Sequence, residues 1–359
     1  MPPRALATPD TTSPVAPPLP APRGPLSAHL LDHLARRPGP LALPPPVPAE
    51  ADVLADDDLQ LALYCCYELH YRSFDGVDER WEWEPSLLAL RRALEGAMED
   101  ALRVAVGPVP VPGCDVAQAL ADVIGRPGGP SLSRWVLDRG NLAHLREFAV
   151  HRSAYQLKEA DPHTWAIPRL SGGAKAALVQ IQLDEYGRGV EAEMHSTLFA
   201  TTMAALGLDT RYGAYVDLLP GVTLATTNLV SMFGLHRRWR GALVGHLAVF
   251  ESTSVGPMGR YAAALRRLGV GGGAERFYDV HVEADAHHEV VAVRQMAGGL
   301  VAQEPDLAGD VVFGARALML VEDRLTRHLL ACWEGGRTSL LGPVPEPPTA
   351  GADGPCRDR

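Results

Sequence analysis

The chain has 359 residues and 47% hydrophobic content, enough for one large domain or two modest ones around an ordinary globular core. Its net charge is -10, carried against scattered Arg with no lysine-rich stripe, which argues against a nucleic-acid binder held by phosphate contacts. No apolar run approaches the roughly 20 residues that span a bilayer. The five cysteines (Cys65, Cys66, Cys114, Cys332, Cys356) contain no C-x-x-C, so no disulfide framework or Cys-type zinc site is expected and a reducing cytoplasm is the expected compartment.

Residues 1–50 are rich in Pro and Ala and lack the apolar core of a secretory signal. They are expected to be disordered apart from a short helix in SAHLLDHLARR. From there almost everything reads as helix. DDDLQLALYCCYELHYRSF begins with capping Asp residues, and PSLLALRRALEGAMEDALRVAV starts on Pro. DVAQALADVIG is short, and SRWVLDRGNLAHLREFAVHRSAYQLKEA is a long helical stretch ended by DPHTWAIPRL. GGAKAALVQIQLDEYG and VEAEMHSTLFATTMAALGL follow, separated at Gly187-x-Gly189. TLATTNLVSMFGLH, RRWRGALVGHLAVFESTS, PMGRYAAALRRLG, AERFYDVHVEADAHHEVVAVRQMAGG and DLAGDVVFGARALMLVEDRLTRHLLACWEGG complete the set. The fold class is all-α, because strand-type alternation is nearly absent. The expected organisation is a disordered lead over 1–50, an N-terminal helical extension over 51–129, the main helical domain over 130–341 and a disordered tail over 342–359.

Phe277 to Glu289, FYDVHVEADAHHE, holds three of the chain's 13 histidines. His281, Asp285 and His288 stand at i, i+4 and i+7, within an arc of roughly 60° on one helix face. Two imidazoles and a carboxylate in a row form a ligand set for iron, zinc, manganese or nickel. The same stretch also reads as a solvated face carrying chance histidines. Other helices offer further donors. Glu251 lies inside an apolar helix, where an ionised carboxylate needs a partner such as a metal or an Arg. Glu185 and His195 flank the glycine pair, and Glu191 is a rival to Glu185. His151, Tyr155 and Glu159 stand at i, i+4 and i+8 and are expected to share a stripe. His236 and His246 read as structural. Glu185 and His195 would lie roughly 15 Å apart on an unbroken helix. A break at Gly187 and Gly189 is therefore expected if both serve one metal.

Several chemistries lack their motifs. There is no G-x-S-x-G, no phosphate-binding glycine loop, no Rossmann fingerprint and no H-E-x-x-H. The paired Glu-x-x-His motifs of ferritin-like bundles are also absent.

A single His, then a Glu on a later helix, then H-x-x-x-D-x-x-H about thirty residues on resembles the haem-oxygenase-like di-iron oxidases and oxygenases, an iron-containing redox enzyme family. His195, Glu251, His281, Asp285 and His288 carry the resemblance. HRSAYQLKEADPHTWAIPRL, DEYGRG, FGLHRRWRGA and FYDVHVEADAHHE look like actinobacterial members, and the likeness covers roughly residues 130 to 335. It implies a bundle of about seven core helices with extra N-terminal helices. It also implies two Fe(II) ions, O2 as co-substrate, and oxidation of a small amine or amino-acid-like molecule by N-oxygenation, hydroxylation or oxidative cleavage. The implied ligand set is Glu159, Glu185, His195, Glu251, His281, Asp285 and His288. One iron would take Glu159, Glu185 and His195 and the other His281, Asp285 and His288, with Glu251 between them. Tyr155 is the implied catalytic side chain beside the metals, and Arg188 or Arg294 could hold a substrate carboxylate. An unidentified electron donor and a homodimer are further implications, with no nucleic-acid or membrane partner. The alternatives are a non-catalytic metal-binding helical protein and a haem-binding oxygenase, for which one axial His would suffice. LALYCCYELHYRSF and RWEWEPS lie outside the metal pattern and receive no chemistry.

Overall fold

The computed structural model describes residues 16–42, 52–109, 115–126 and 128–345, without the side chains of residues 285–287. Among the described residues there is no strand, and none of the helices is long and apolar enough to cross a membrane. The fold is all-α. In chain order the helices are α1 (Pro25–Leu34), α2 (Asp57–Glu68), α3 (Pro85–Val106), α4 (Val116–Ile124), α5 (Leu132–Arg139), α6 (Leu142–Gln156) and α7 (Asp161–Thr164). They continue as α8 (Gly172–Glu185), α9 (His195–Ala205), α10 (Gly221–Leu235), α11 (Arg240–Arg267), α12 (Arg276–Val290), α13 (Gly298–Gln303) and α14 (Ala308–Glu334).

The centre of the bundle is α11, which packs along α14 on one side and α12 on the other. Its approach to α14 depends on two glycines. A Cβ on Gly245 would lie 1.8 Å from the Val311 carbonyl oxygen, and one on Gly314 would lie 1.9 Å from that of Ala242. Only Gly lets the two backbones meet so closely. The sequence suggests a boundary before Pro257, yet α11 runs through it. One turn before the proline, Ser252 and Thr253 fold their hydroxyls back onto the carbonyls of Ala248 and Val249, contacts that favour bending of a helix over ending it. Conversely, the long helix expected from Ser133 onward is cut at Gly140, and Asn141 starts α6 by accepting the His144 N–H.

The lead also departs from expectation. The helix in SAHLLDHLARR is present, and the segment around it belongs to the core instead of being disordered. Leu26, Leu30, Leu31 and Leu34 are buried against α2, and the Asp58 carboxylate accepts the Leu26 and Ser27 N–H groups. A helical leucine stripe within a proline-rich composition is enough to order it. Residues 1–15 and 43–50 of the lead, and 346–359 of the tail, lie outside the described residues. The extension expected over 51–129 shares one continuous apolar core with the rest, through α2 against α10 and α3 and α4 against α14.

Candidate metal centre

Five elements converge, α11 among them. Glu185 is the last residue of α8, and His195 is the first of α9. Between them the helix is broken, with Gly187, Arg188 and Gly189 at φ 59°, 54° and 83°. Gly187 is required twice, for its left-handed backbone and because a Cβ would fall 2.5 Å from both Glu193 C and Met194 N. The Arg188–Asp184 ion pair at 2.7 Å spans the turn. The break folds the chain back so that Glu185 Oε2 lies 2.9 Å from His195 Nδ1. The roughly 15 Å of helical rise between ten residues is thereby removed.

α12 presents His281 and His288, both buried, and α11 presents buried Glu251. The sixth donor, Glu159, is not on a helix. α6 ends at Gln156, and Glu159 lies in the turn of residues 157–160, which closes with Ala160 at φ 76°. The expected stripe of His151, Tyr155 and Glu159 therefore does not form. His151 is buried elsewhere, bonded to the hydroxyls of Thr223 and Ser339.

These donors form two groups. In the first, Glu159, Glu185, His195 and His281 each offer an atom within 4.8 Å of the others. In the second, Glu185, Glu251 and His288 do the same. Every one of them is buried, and Glu185 belongs to both. This differs from the partition the sequence suggested. His281 joins the His195 side, and the shared carboxylate is Glu185 in place of Glu251. The Asp285 side chain lies outside the described residues. Glu191 is exposed in a 3-10 turn and joins neither group.

Tautomers follow from the surroundings. His281 Nδ1 donates to the Phe277 carbonyl at 2.7 Å, which turns Nε2 toward Glu159 Oε1 at 3.6 Å. His288 lies between Glu251 Oε2, 3.2 Å from Nδ1, and Asp184 Oδ2, 3.0 Å from Nε2. Asp184 was not among the sequence candidates. Its neighbour Glu185 lies roughly 100° away around the helix, so a face argument selects one and discards the other. His163, in the short α7, was also missed. It lines the cleft with Tyr155, Glu159, Glu185, Phe250 and Glu251, and its Nε2 is 3.1 Å from His246 Nδ1.

Burial raises the carboxyl pKa values, and the histidines oppose it unequally. For Glu185 they prevail: His195, then His281 and His288, hold it at about 2. For Glu159 burial prevails over His281, with Glu185 adding repulsion, and the carboxyl is pushed up. Two neighbouring carboxylates thus have opposite proton preferences. Burial, reinforced by Glu159, Glu185 and Glu251, also keeps the Tyr155 hydroxyl protonated far above its ordinary range. Arg188 and Arg294 are exposed, and Arg188 is engaged with Asp184.

The profile of the iron-containing redox enzyme family matches residues 146–323, which contain every donor described above. The chain belongs to the iron-containing redox enzyme family. It is also similar to a nitrosourea synthase from Streptomyces achromogenes subsp. streptozoticus, with 27% identity over 150 residues. That match covers 42% of this chain and 32% of the relative, so it spans about a third of the relative's length.

The residues fit the metal that the family implies. Glu159 Oε2 and His195 Nδ1 are buried and make no aligned hydrogen bond, a costly arrangement that a cation would relieve. Imidazole and carboxylate donors without thiolate suit iron.

Proposed function

We propose that the protein is an O2-dependent non-haem di-iron oxygenase or oxidase acting on a small amine or amino-acid-like substrate. The observation that carries this reading is the sharing of Glu185 by two buried donor groups. One metal would be held by Glu159, Glu185, His195 and His281, and a second by Glu185, Glu251 and His288, with Asp285 expected to join from the same helix. Four carboxylates would balance the charge of two divalent ions, as a buried site requires. Two Fe(II) ions bound there would supply the electrons for reduction of O2.

The remaining work belongs to the chain. The raised proton affinity of Glu159 sets protons in competition with metal there, because ligands must be deprotonated. The Phe277 carbonyl fixes the His281 tautomer, and Asp184 can do the same for His288. Tyr155 keeps its proton and serves as a hydrogen-bond donor beside the centre, not as a base. Phe250 packs edge-on against Tyr155 at 5.5 Å, and with Leu247 gives the cleft an apolar wall that excludes water. The similarity to a nitrosourea synthase supports a nitrogen-bearing substrate.

The test is substrate-dependent O2 consumption by the anaerobically Fe(II)-loaded chain across a panel of small amines and amino acids. Uptake that requires Fe(II) is expected. No uptake with two irons bound would favour a non-catalytic metal carrier. A Soret shift on haem titration would favour a haem oxygenase, a reading that leaves the extra carboxylates without a role.

A further inference from the structure

The stretch LALYCCYELHYRSF, which the metal pattern leaves without a role, ends beside the centre. The chain has two lysines, Lys158 and Lys175. Lys158 immediately precedes Glu159 and is 1% exposed. Its ammonium pairs with Glu68 at the C-terminal end of α2, itself 0% exposed, and the Tyr212 hydroxyl donates to the other oxygen of Glu68. The Lys158 ammonium also lies 4.1 Å from the centre of the Tyr71 ring. Arg72 reaches the Leu157 carbonyl at 3.4 Å, and Gln182, one turn before Glu185, donates to the Ala160 carbonyl at 2.8 Å. The turn of 157–160 is thus held at both ends and through its middle.

A turn needs this. Glu159 has no continuous i to i−4 ladder to fix it, whereas Glu251 sits within the 28-residue α11. Lys158 reaches α2 while its neighbour Glu159 faces His281 in the cleft. A fully buried ion pair is a poor device for stability alone, since an apolar pair of similar volume would often do as well. What it adds is direction, because the ammonium must meet the carboxylate in a narrow range of geometries.

We propose that Glu68 and Lys158 are positioning residues for the metal centre. The buried pair, steadied by Tyr212, fixes the turn that presents Glu159. It thereby sets the affinity of the site built from Glu159, Glu185, His195 and His281, and leaves the site built on Glu251 and His288 unaffected. This rests on the two-metal reading above. It gives the N-terminal helices a part in the chemistry: α2 is the outer support of one metal site.

The test uses the full chain, titrated anaerobically with Fe(II) and counted for bound iron, and in parallel loaded with Mn(II) for electron paramagnetic resonance. The paired variant Glu68→Met with Lys158→Met removes both charges together, so no lone buried ion remains. The wild type is expected to take two metals, with Mn(II) giving the signal of a coupled pair. The variant should keep its circular dichroism and melting behaviour and bind one metal as before. Its second metal should bind about 10- to 100-fold more weakly, leaving the signal of isolated Mn(II). Two metals at wild-type affinity in the folded variant would overturn the proposal. Equal weakening of both would do the same, since that is what a general packing role predicts. If the wild type itself takes fewer than two metals, the di-iron reading fails first and this inference falls with it. Should the paired variant not fold, Tyr212→Phe removes one donor to Glu68. A several-fold loss confined to one site is then expected, and unchanged binding would overturn the proposal.

Discussion

The two halves of the centre are built differently. Glu251 and His288 project from the bodies of α11 and α12, where the backbone ladder sets their positions. Glu159, Glu185 and His195 sit where helices stop: in a turn, on the last residue of α8 and on the first of α9. A helix interior fixes a side chain locally. A helix end has to be fixed by neighbours, and the first half accordingly leans on a glycine-dependent break and a buried ion pair. Glu185 belongs to both halves, so damage to it should not respect the division.

The largest effect is expected there. Glu185→Ala should abolish tight binding of both irons and lower substrate-dependent O2 uptake by about three orders of magnitude or more, the loss expected when preorganised charge is removed from a site. Glu251→Ala should remove only the second iron. Iron counting on the two variants side by side checks the contrast, and loss of a single iron in both would mean that Glu185 is not shared.

Gly187→Ala should come next. It forces a side chain onto the Glu193–Met194 backbone and into a left-handed conformation, a strain of about 1–3 kcal/mol. The damage should fall on the first half, by parting Glu185 from His195. A calorimetric Fe(II) titration showing the second site weakened more than the first would break the comparison.

Asp184→Ala probes the other half. The carboxylate at 3.0 Å from His288 Nε2 orients that imidazole, and its removal should weaken the second site about 10-fold, the low end for such supports. Asp184→Asn, which keeps an acceptor, should recover most of the affinity.

The smallest effect concerns stability. Burial holds His163 neutral, with its pKa down at about 4, and depresses His246 as well. Both folded values lie below the unfolded value, so the stability they contribute is present above about pH 6.5 and lost as pH falls toward 4. Glu159, with a raised carboxyl, works in the opposite sense. Between about pH 7 and about pH 5 the metal-free chain should lose about 2 kcal/mol per histidine at most, and His163→Gln should flatten that slope in urea unfolding.

How much of this was legible in the sequence follows the same division. Helical periodicity put His281 and His288 on one face, and the apolar flanks of Glu251 marked it as a charge needing a partner. Those arguments work because the residues lie inside helices. Gly187-x-Gly189 made the break between Glu185 and His195 readable, since the two glycines stand where an unbroken helix would hold these donors too far apart, and glycine is the residue that lets a chain turn there. Glu159 was reached through a stripe with His151 and Tyr155 that the structure does not contain. Periodicity cannot follow a chain after its helix ends at Gln156. Asp184, His163 and the Glu68–Lys158 pair were invisible because each depends on contacts between segments remote in the chain. Within the lead the helix α1 was legible, but its docking was not, because a leucine stripe does not say that α2 is the surface it meets.

The most direct test of the central claim is to count iron per chain after anaerobic Fe(II) loading and desalting, in the wild type and in Glu185→Ala. Near two irons in the wild type and close to none in the variant is the predicted result. The same iron content in both would contradict a centre built around Glu185.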